Sequence, residues 1–241
     1  KGIHVCIASG RAFDTLPSEV VTIPGIEYAI TSNGAAVYEI KDKRCLNSYV
    51  LKESSVAGII KNTVGYPVTY EAFIRGKAYA SKEYIADPVK FGATPKAIEY
   101  VRSTRTLQED IVSFIYEHKH ELDSIDIVLD DDELKNRIIK ELYEKDSDIY
   151  ITSSVKQLIE ISYKDAGKKS GVRFLADRLG IDRKNIAAFG DADNDCDMIE
   201  FAGAGVAMGN ACDALKEAAD YVTLSNDDDG LAYAIYNILN I

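Results

Sequence analysis

The chain has 241 residues, enough for one large or two smaller domains, and its 46% hydrophobic and 28% charged residues are the mix of a globular protein. A net charge of −11 argues against a nucleic-acid or anionic-membrane surface, which would want clustered Lys and Arg, and no apolar run approaches the ~18 residues of a membrane span. Four cysteines (Cys6, Cys45, Cys196, Cys212) are scattered without a C-x-x-C pair, so they read as reduced thiols of a cytoplasmic protein and not as a disulfide frame or zinc site.

In chain order, IHVCIA at 3–8 is a short apolar run that predicts a buried strand opening into Ser9-Gly10-Arg11. Segments 26–31 and 35–40 flank Ser32-Asn33-Gly34, a strong turn signal, and 45–51 reads as a return strand. From 52 to 154 the texture changes. A helix at 54–62 precedes extended segments near 67–74 and 77–81, and Pro95 suits the start of a helix near 95–101. A strand near 111–116, a strand at 126–129, a helix from 131 to 144 and a strand at 149–151 complete what reads as an inserted α+β module. After 157 the alternation is regular: strand 158–163 and helix 169–179, strand 185–189 and helix 195–202, strand 204–208 and helix 212–219, strand 221–224 and helix 229–239. Such alternation predicts a parallel sheet with helices on its faces.

The densest chemistry is FGDADNDCDM at 189–198, where a strand ends in Gly190 and Asp191, Asp193, Asp195 and Asp197 follow with Asn194 among them. Carboxylates at the carboxyl end of a strand lie where open α/β sheets bind ligands, and hard oxygen donors suit Mg²⁺. A calcium loop would need Gly and Glu at its sixth and twelfth positions, which are Cys196 and Ala202 counted from Asp191, so that reading fails. The plainer alternative is a solvated acidic turn capping the next helix. Ser9-Gly10-Arg11 offers a hydroxyl and close-approaching amides to a phosphate, though it would equally serve as an ordinary strand-to-helix turn. Asn33-Gly34 alone is a hairpin turn. Lys168, just before a helix, is placed to neutralise a phosphoryl group or to sit on the surface. His4, Cys6 and Arg11 miss the His-Cys-x₅-Arg spacing of cysteine phosphatases.

Together, IASGR at 7–11, TSNGA at 31–35, GKKSGVRFLADRLGI at 167–181, FGDADND at 189–195, GVAMGNA at 205–211, AADYVT at 218–223 and DDDGLAYAI at 227–235 resemble the haloacid dehalogenase-like (HAD) superfamily, specifically its Cof-type phosphatases. The resemblance implies an α/β fold: a Rossmann-like parallel-sheet core over 1–51 and 155–241 with an α/β cap inserted at 52–154. It implies a Mg²⁺-dependent phosphatase acting on small phosphomonoesters, sugar phosphates first, through an aspartyl-phosphate.

Residue by residue, it makes Ser9 a catalytic hydroxyl that binds the transferring phosphoryl group, beside Gly10 and Arg11. Asn33 and Gly34 fall near the substrate, Lys168 steadies the phosphoryl charge, Asn194 contacts substrate phosphate, Asp191 ligates Mg²⁺, and Asp195 supports Lys168 or the metal shell. Lys169 stands where the family usually has Gly, but helical spacing to Val172 and Leu175 favours Lys168. The family's nucleophilic Asp-x-Asp is expected upstream of Lys1, because Asp191-Ala192-Asp193 fits the metal motif better. A non-catalytic sugar-phosphate-binding protein and a phosphomutase are the alternatives. The expected partner is a small-molecule phosphate ester, with neither nucleic acid nor membrane. The aromatic residues Tyr70, Phe73, Tyr79 and Tyr84 of the inserted block read as core or as leaving-group contacts.

Overall fold

The computed structural model describes residues 2–240, which divide into two compact units on either side of the 166/167 junction. The first unit carries two sheets. One holds β1 (Val5–Ala8), β2 (Ile26–Thr31), β3 (Ala36–Glu39) and β4 (Arg44–Ser48) in that order, with β1 parallel to β2 and the remaining pairs antiparallel. The turn between β2 and β3 needs left-handed backbone: Ser32, Asn33 and Gly34 have φ of 47°, 52° and 88°. Asn tolerates that region and Gly enters it without a steric penalty, which is why this tripeptide closes the hairpin. The expected buried strand at 3–8 is corrected. β1 lies at the sheet edge, and Ile3 and Val5 are exposed.

The second sheet of this unit holds β5 (Thr69–Ile74), β6 (Lys77–Ser81), β7 (Arg105–Gln108), β8 (Ser124–Val128), β9 (Ile149–Thr152) and β10 (Leu158–Tyr163) in the order β7-β6-β5-β8-β10-β9. Its two faces differ, because successive strand residues point to opposite sides. Tyr70, Ala72, Ile125, Ile127, Ile159 and Ile161 pack on one side against helices Glu53–Thr63, Ile111–Glu117 and Asp132–Lys145, making one continuous hydrophobic core. The other face carries Glu71, Asp126 and Glu160 in register on three neighbouring strands. Antiparallel sheets usually leave such a polar face in water. Here it is covered. Tyr84, Phe91 and Val101 pack on Val128 and Leu158, and Ala12 packs on Phe73 and Ala78.

Two further expectations in this unit change. Segment 111–116 is a helix, Ile111–Glu117, and not a strand. The Asp110 carboxylate caps it by accepting from the Ser113 N–H and Oγ–H at 3.0 and 2.7 Å, and Ile111 and Ile115 then fall on one buried helical stripe. Strand 158–163 forms, but not as the first strand of a parallel series. It pairs antiparallel with both β8 and β9, so the six-stranded sheet runs past the boundary expected at 154. Helix Lys82–Ala86 and strand β7 are short and weakly patterned, and the sequence carries no signal for them.

The second unit is a three-stranded parallel sheet of β11 (Ala187–Gly190), β12 (Ala204–Ala207) and β13 (Tyr221–Val222), with helices Lys168–Leu179, Cys196–Phe201 and Asp213–Ala218. Gly180 (φ 67°) ends the first helix in the left-handed cap that its sequence announced. The final helix is Gly230–Tyr233 followed by a π-turn over Ala234–Ile238, shorter and less regular than the 229–239 helix expected. Among the described residues no helix is long and apolar enough to cross a membrane.

Candidate active site

In the first unit, backbone bonds tie two of the expected loops together. The Asn33 N–H donates to the Ser9 carbonyl at 3.2 Å, and the Ser32 N–H to the Arg11 carbonyl at 2.9 Å. β1 and β2 are parallel neighbours, so the loops leaving their carboxyl ends must meet. Ser9 Oγ accepts from the Arg11 N–H at 3.1 Å, which turns the chain sharply at Gly10. A Cβ on Gly10 would stand 3.0 Å from both Asn33 Oδ1 and Glu160 Oε1. The Arg11 guanidinium lies over the Tyr100 ring, its central carbon 4.1 Å from the centroid. Asn33 is buried, and its amide donates to Glu160 Oε1 at 3.0 Å. The Ser32 hydroxyl is buried without a hydrogen-bond partner among the described residues. Its only sequence signal was its place beside Asn33-Gly34.

In the second unit, the carboxyl end of β11 feeds the acidic turn. The Lys168 Nζ donates to Asp195 Oδ1 at 2.5 Å, with both side chains buried. The other oxygen, Asp195 Oδ2, accepts from the Asp191 and Ala192 N–H groups at 3.0 and 3.2 Å. Both oxygens of one carboxylate are thus committed, one to the lysine and one to the turn. Gly190 makes room for this: a Cβ there would lie 2.4 Å from the Asp195 Cβ. Lys169 is exposed, and its backbone N–H donates to Asp197 Oδ2 at 3.1 Å. The geometry therefore separates the two adjacent lysines, one buried on a carboxylate and one in solvent. The Gly167 φ of 116° starts the helix that turns Lys168 inward.

The remaining acids of the turn have distinct settings. Asp191 is exposed and its Oδ2 accepts from Asn210 Nδ2 at 3.1 Å. Asp193 Oδ1 accepts from the Cys212 thiol at 3.2 Å. Asp197 Oδ1 is buried without a partner among the described residues, and burial pushes this carboxyl above its ordinary range. Asn194 is buried on the short 3₁₀ turn Asp193–Asp195. No group of three or more His, Cys, Asp or Glu converges as a metal cage among the described residues. Mg²⁺ needs no such cage, since one or two carboxylates with water and substrate phosphate suffice, and an exposed carboxylate held by one amide fits that donor set.

Residues that the motifs did not point to are Glu71, Arg105, Asp126 and Glu160. They lie far apart in sequence, inside segments whose pattern reads only as strand. Arg105 donates to both Glu71 oxygens at 2.6 and 3.2 Å, and both side chains are buried. Of the aromatic residues considered for the inserted block, Tyr70 belongs to the core, Phe73 packs on Ala12, Tyr79 packs on Phe114, and Tyr84 meets Phe91 edge-on.

The α/β architecture, the parallel β11-β12-β13 sheet and the acidic turn at its carboxyl edge define a hydrolase core of the HAD type. The family model for haloacid dehalogenase-like hydrolases matches residues 1–235, and the chain belongs to that family. It is similar to a 5-amino-6-(5-phospho-D-ribitylamino)uracil phosphatase of Bacillus subtilis (strain 168), 40% identical over 239 residues that cover 98% of this chain and 82% of the relative. A putative phosphatase of the same organism is 30% identical over 98% of this chain and 84% of its own length. Among solved structures, a haloacid dehalogenase-like hydrolase from B. subtilis superposes with a TM-score of 0.83 at 25% identity, covering 98% of this chain and 88% of that one. A sugar phosphatase of HAD subclass IIB shares the fold with a TM-score of 0.80 at 20% identity, over 100% of this chain and 87% of its own.

Proposed function

We propose that this hydrolase releases phosphate from small phosphomonoesters, with sugar and polyol phosphates as its substrate class. The observation that carries the reading is the buried Lys168–Asp195 pair hung on the acidic turn. A buried ammonium fixed by a carboxylate is a preorganised positive charge, which is what a phosphoryl-transfer transition state requires. Family membership and the phosphatase relatives support the same class. The relative acting on a phosphoribitylamino compound supports a polyol phosphate in particular.

In this reading Lys168 balances charge on the transferring phosphoryl group and Asp195 holds it in place. Ser9, with the Gly10 and Arg11 amides, donates to phosphoryl oxygens, while Asn33, Gly34 and Asn194 contact the ester. Asp191 would hold Mg²⁺, which when bound neutralises charge on phosphate oxygens. In this reading an Asp carboxylate would attack phosphorus as the ester alcohol leaves with a proton, and water would then hydrolyse the aspartyl-phosphate to release phosphate. None of the acids in the turn is assigned the attack: Asp195 is committed to Lys168, Asp193 to the Cys212 thiol and Asp197 to the Lys169 N–H. The six-stranded sheet and its helices act as the cap that selects the leaving group. Four free thiols support a reducing, cytoplasmic setting.

The test is release of inorganic phosphate from a panel of sugar and polyol phosphates by the full-length protein, with Mg²⁺ and with EDTA. EDTA-sensitive turnover is expected. No release from any ester in the panel refutes the reading.

A further inference from the structure

The covered polar face of the six-stranded sheet poses an energetic problem. Glu71, Asp126 and Glu160 stand side by side on β5, β8 and β10, paired in register. All three are at most 4% exposed. Neighbouring strands are about 4.8 Å apart, so like charges in this position repel, and taking each carboxylate out of water costs several kcal/mol unless it is paired. Two of the three are compensated. Glu71 receives the bidentate Arg105 fork. Glu160 accepts the Asn33 amide on Oε1 and the Ser154 N–H on Oε2.

Asp126 is different. It is 4% exposed, and the groups acting on its carboxyl are the charges of Glu160, Glu71 and Arg105, with no hydrogen bond among them. Burial first, then the Glu160 and Glu71 carboxylates, push its carboxyl well above the ordinary range. A carboxyl that keeps its proton both donates and accepts, as a hydroxyl does. A partnerless polar group at the centre of an otherwise satisfied network calls for an explanation, and a ligand is one.

The surroundings select the kind of ligand. Glu160, one strand away, lies against the Gly10 turn, where a Cβ would come within 3.0 Å of its Oε1. That turn is the one carrying Ser9. Two guanidiniums approach one Tyr100 ring, Arg11 at 4.1 Å and Arg105 at 4.6 Å from its centroid. They offset the Glu71 and Glu160 carboxylates, so the surroundings call for neither a net cation nor a net anion. What remains is a neutral group rich in hydrogen-bond donors and acceptors, with donors spaced to reach adjacent strands, as hydroxyls a few carbons apart along a polyol or sugar do. We propose that Asp126, with Glu160 beside it, binds hydroxyl groups of a polyhydroxylated leaving group and is a specificity-determining residue of this hydrolase. The proposal rests on the phosphatase reading and deepens it, since it names which part of the ester the sheet recognises.

The experiment compares wild type, Asp126→Asn and Asp126→Leu of the full-length protein on sorbitol 6-phosphate and on p-nitrophenyl phosphate, whose leaving group has no aliphatic hydroxyl. The ratio of kcat/KM for the polyol to that for the aryl ester should fall at least tenfold in Asp126→Leu, mainly through KM for the polyol, with Asp126→Asn between. Calorimetric binding of sorbitol 6-phosphate, referenced to inorganic phosphate, should weaken by the same factor. Circular dichroism melting confirms the fold, and if Asp126→Leu does not fold, the near-isosteric Asp126→Asn decides. An unchanged ratio and unchanged relative affinity overturn the assignment. So does a preference for glucosamine 6-phosphate over glucose 6-phosphate that disappears in Asp126→Asn, because the site would then be reading an ammonium. If wild type turns over neither ester, the phosphatase reading falls, and the binding comparison alone still decides the role of Asp126.

Discussion

Lys168 Nζ sits 2.5 Å from Asp195 Oδ1, across 27 residues of chain, while the second oxygen of the same carboxylate holds the N–H groups of Asp191 and Ala192. One carboxylate therefore sets the lysine and the acidic turn at the same time. A change at either residue is felt in both.

Lys168→Ala should lower kcat on p-nitrophenyl phosphate by on the order of 10²-fold or more, the scale for losing one preorganised charge-stabilising group. It should also destabilise the protein by about 3–5 kcal/mol, since it leaves Asp195 buried and unpaired. Lys169→Ala, at an exposed side chain, should do far less to either quantity. Steady-state kinetics and urea unfolding of the two variants check this, and equal effects would move the functional lysine.

Asp191→Asn should remove most Mg²⁺-dependent turnover while leaving the melting temperature within a few degrees of wild type. Asp191 is exposed and its side chain has one amide contact, so little packing is at stake. A Mg²⁺ titration of activity, read beside a thermal melt, separates loss of metal from loss of fold. Near-normal activity with unchanged metal dependence would reduce the turn to a helix cap.

Gly190→Ala should cost about 1–3 kcal/mol, the range for overpacking a filled site. The added Cβ would lie 2.4 Å from Asp195 Cβ and 2.7 Å from Cγ, so Asp195 must shift. Because Asp195 positions Lys168, activity should fall together with stability. Full activity in a folded Gly190→Ala protein would argue that the pair tolerates displacement.

Asp123 makes stability depend on pH. It is buried, with Oδ1 accepting from Ser48 Oγ at 3.2 Å and Oδ2 from the Gly76 N–H at 3.4 Å, and burial raises its carboxyl from the ordinary 3.8 to about 6. A raised folded-state value means the native protein binds the proton more tightly than the unfolded chain. The contribution is present below about pH 3.8 and is lost as pH rises through about 6. The gap amounts to about 3 kcal/mol. Asp123→Asn, which cannot ionise, should gain on wild type by up to about that amount between pH 4 and pH 7. Denaturant unfolding at the two pH values measures it, and a constant difference between the proteins would refute the assignment.

Much of the local geometry at the candidate site could be read along the chain because its parts are local. Gly190 followed by alternating acids and Ser32-Asn33-Gly34 with its left-handed turn are short-range patterns, and helical spacing from Lys168 to Val172 and Leu175 pointed one lysine inward. The hydrophobic periods of helices Glu53–Thr63, Asp132–Lys145 and Lys168–Leu179 likewise announced themselves.

What only the tertiary structure decided concerns partners distant in sequence. Ile111–Glu117 has enough branched and aromatic residues to pass for a strand, and it is a helix because Asp110 caps it and its Ile111–Ile115 stripe meets the core. Strand 158–163 was legible as a strand, but its antiparallel place between β8 and β9 depends on which edge accepts its hydrogen bonds. The row Glu71, Asp126 and Glu160 exists only once three strands are in register. In sequence each is one acid in an apolar run, and nothing local says that the face it points to is covered. Periodicity encodes which residues share a side of an element. Burial of that side, and the charge that accumulates there, is set by what the rest of the chain packs against it.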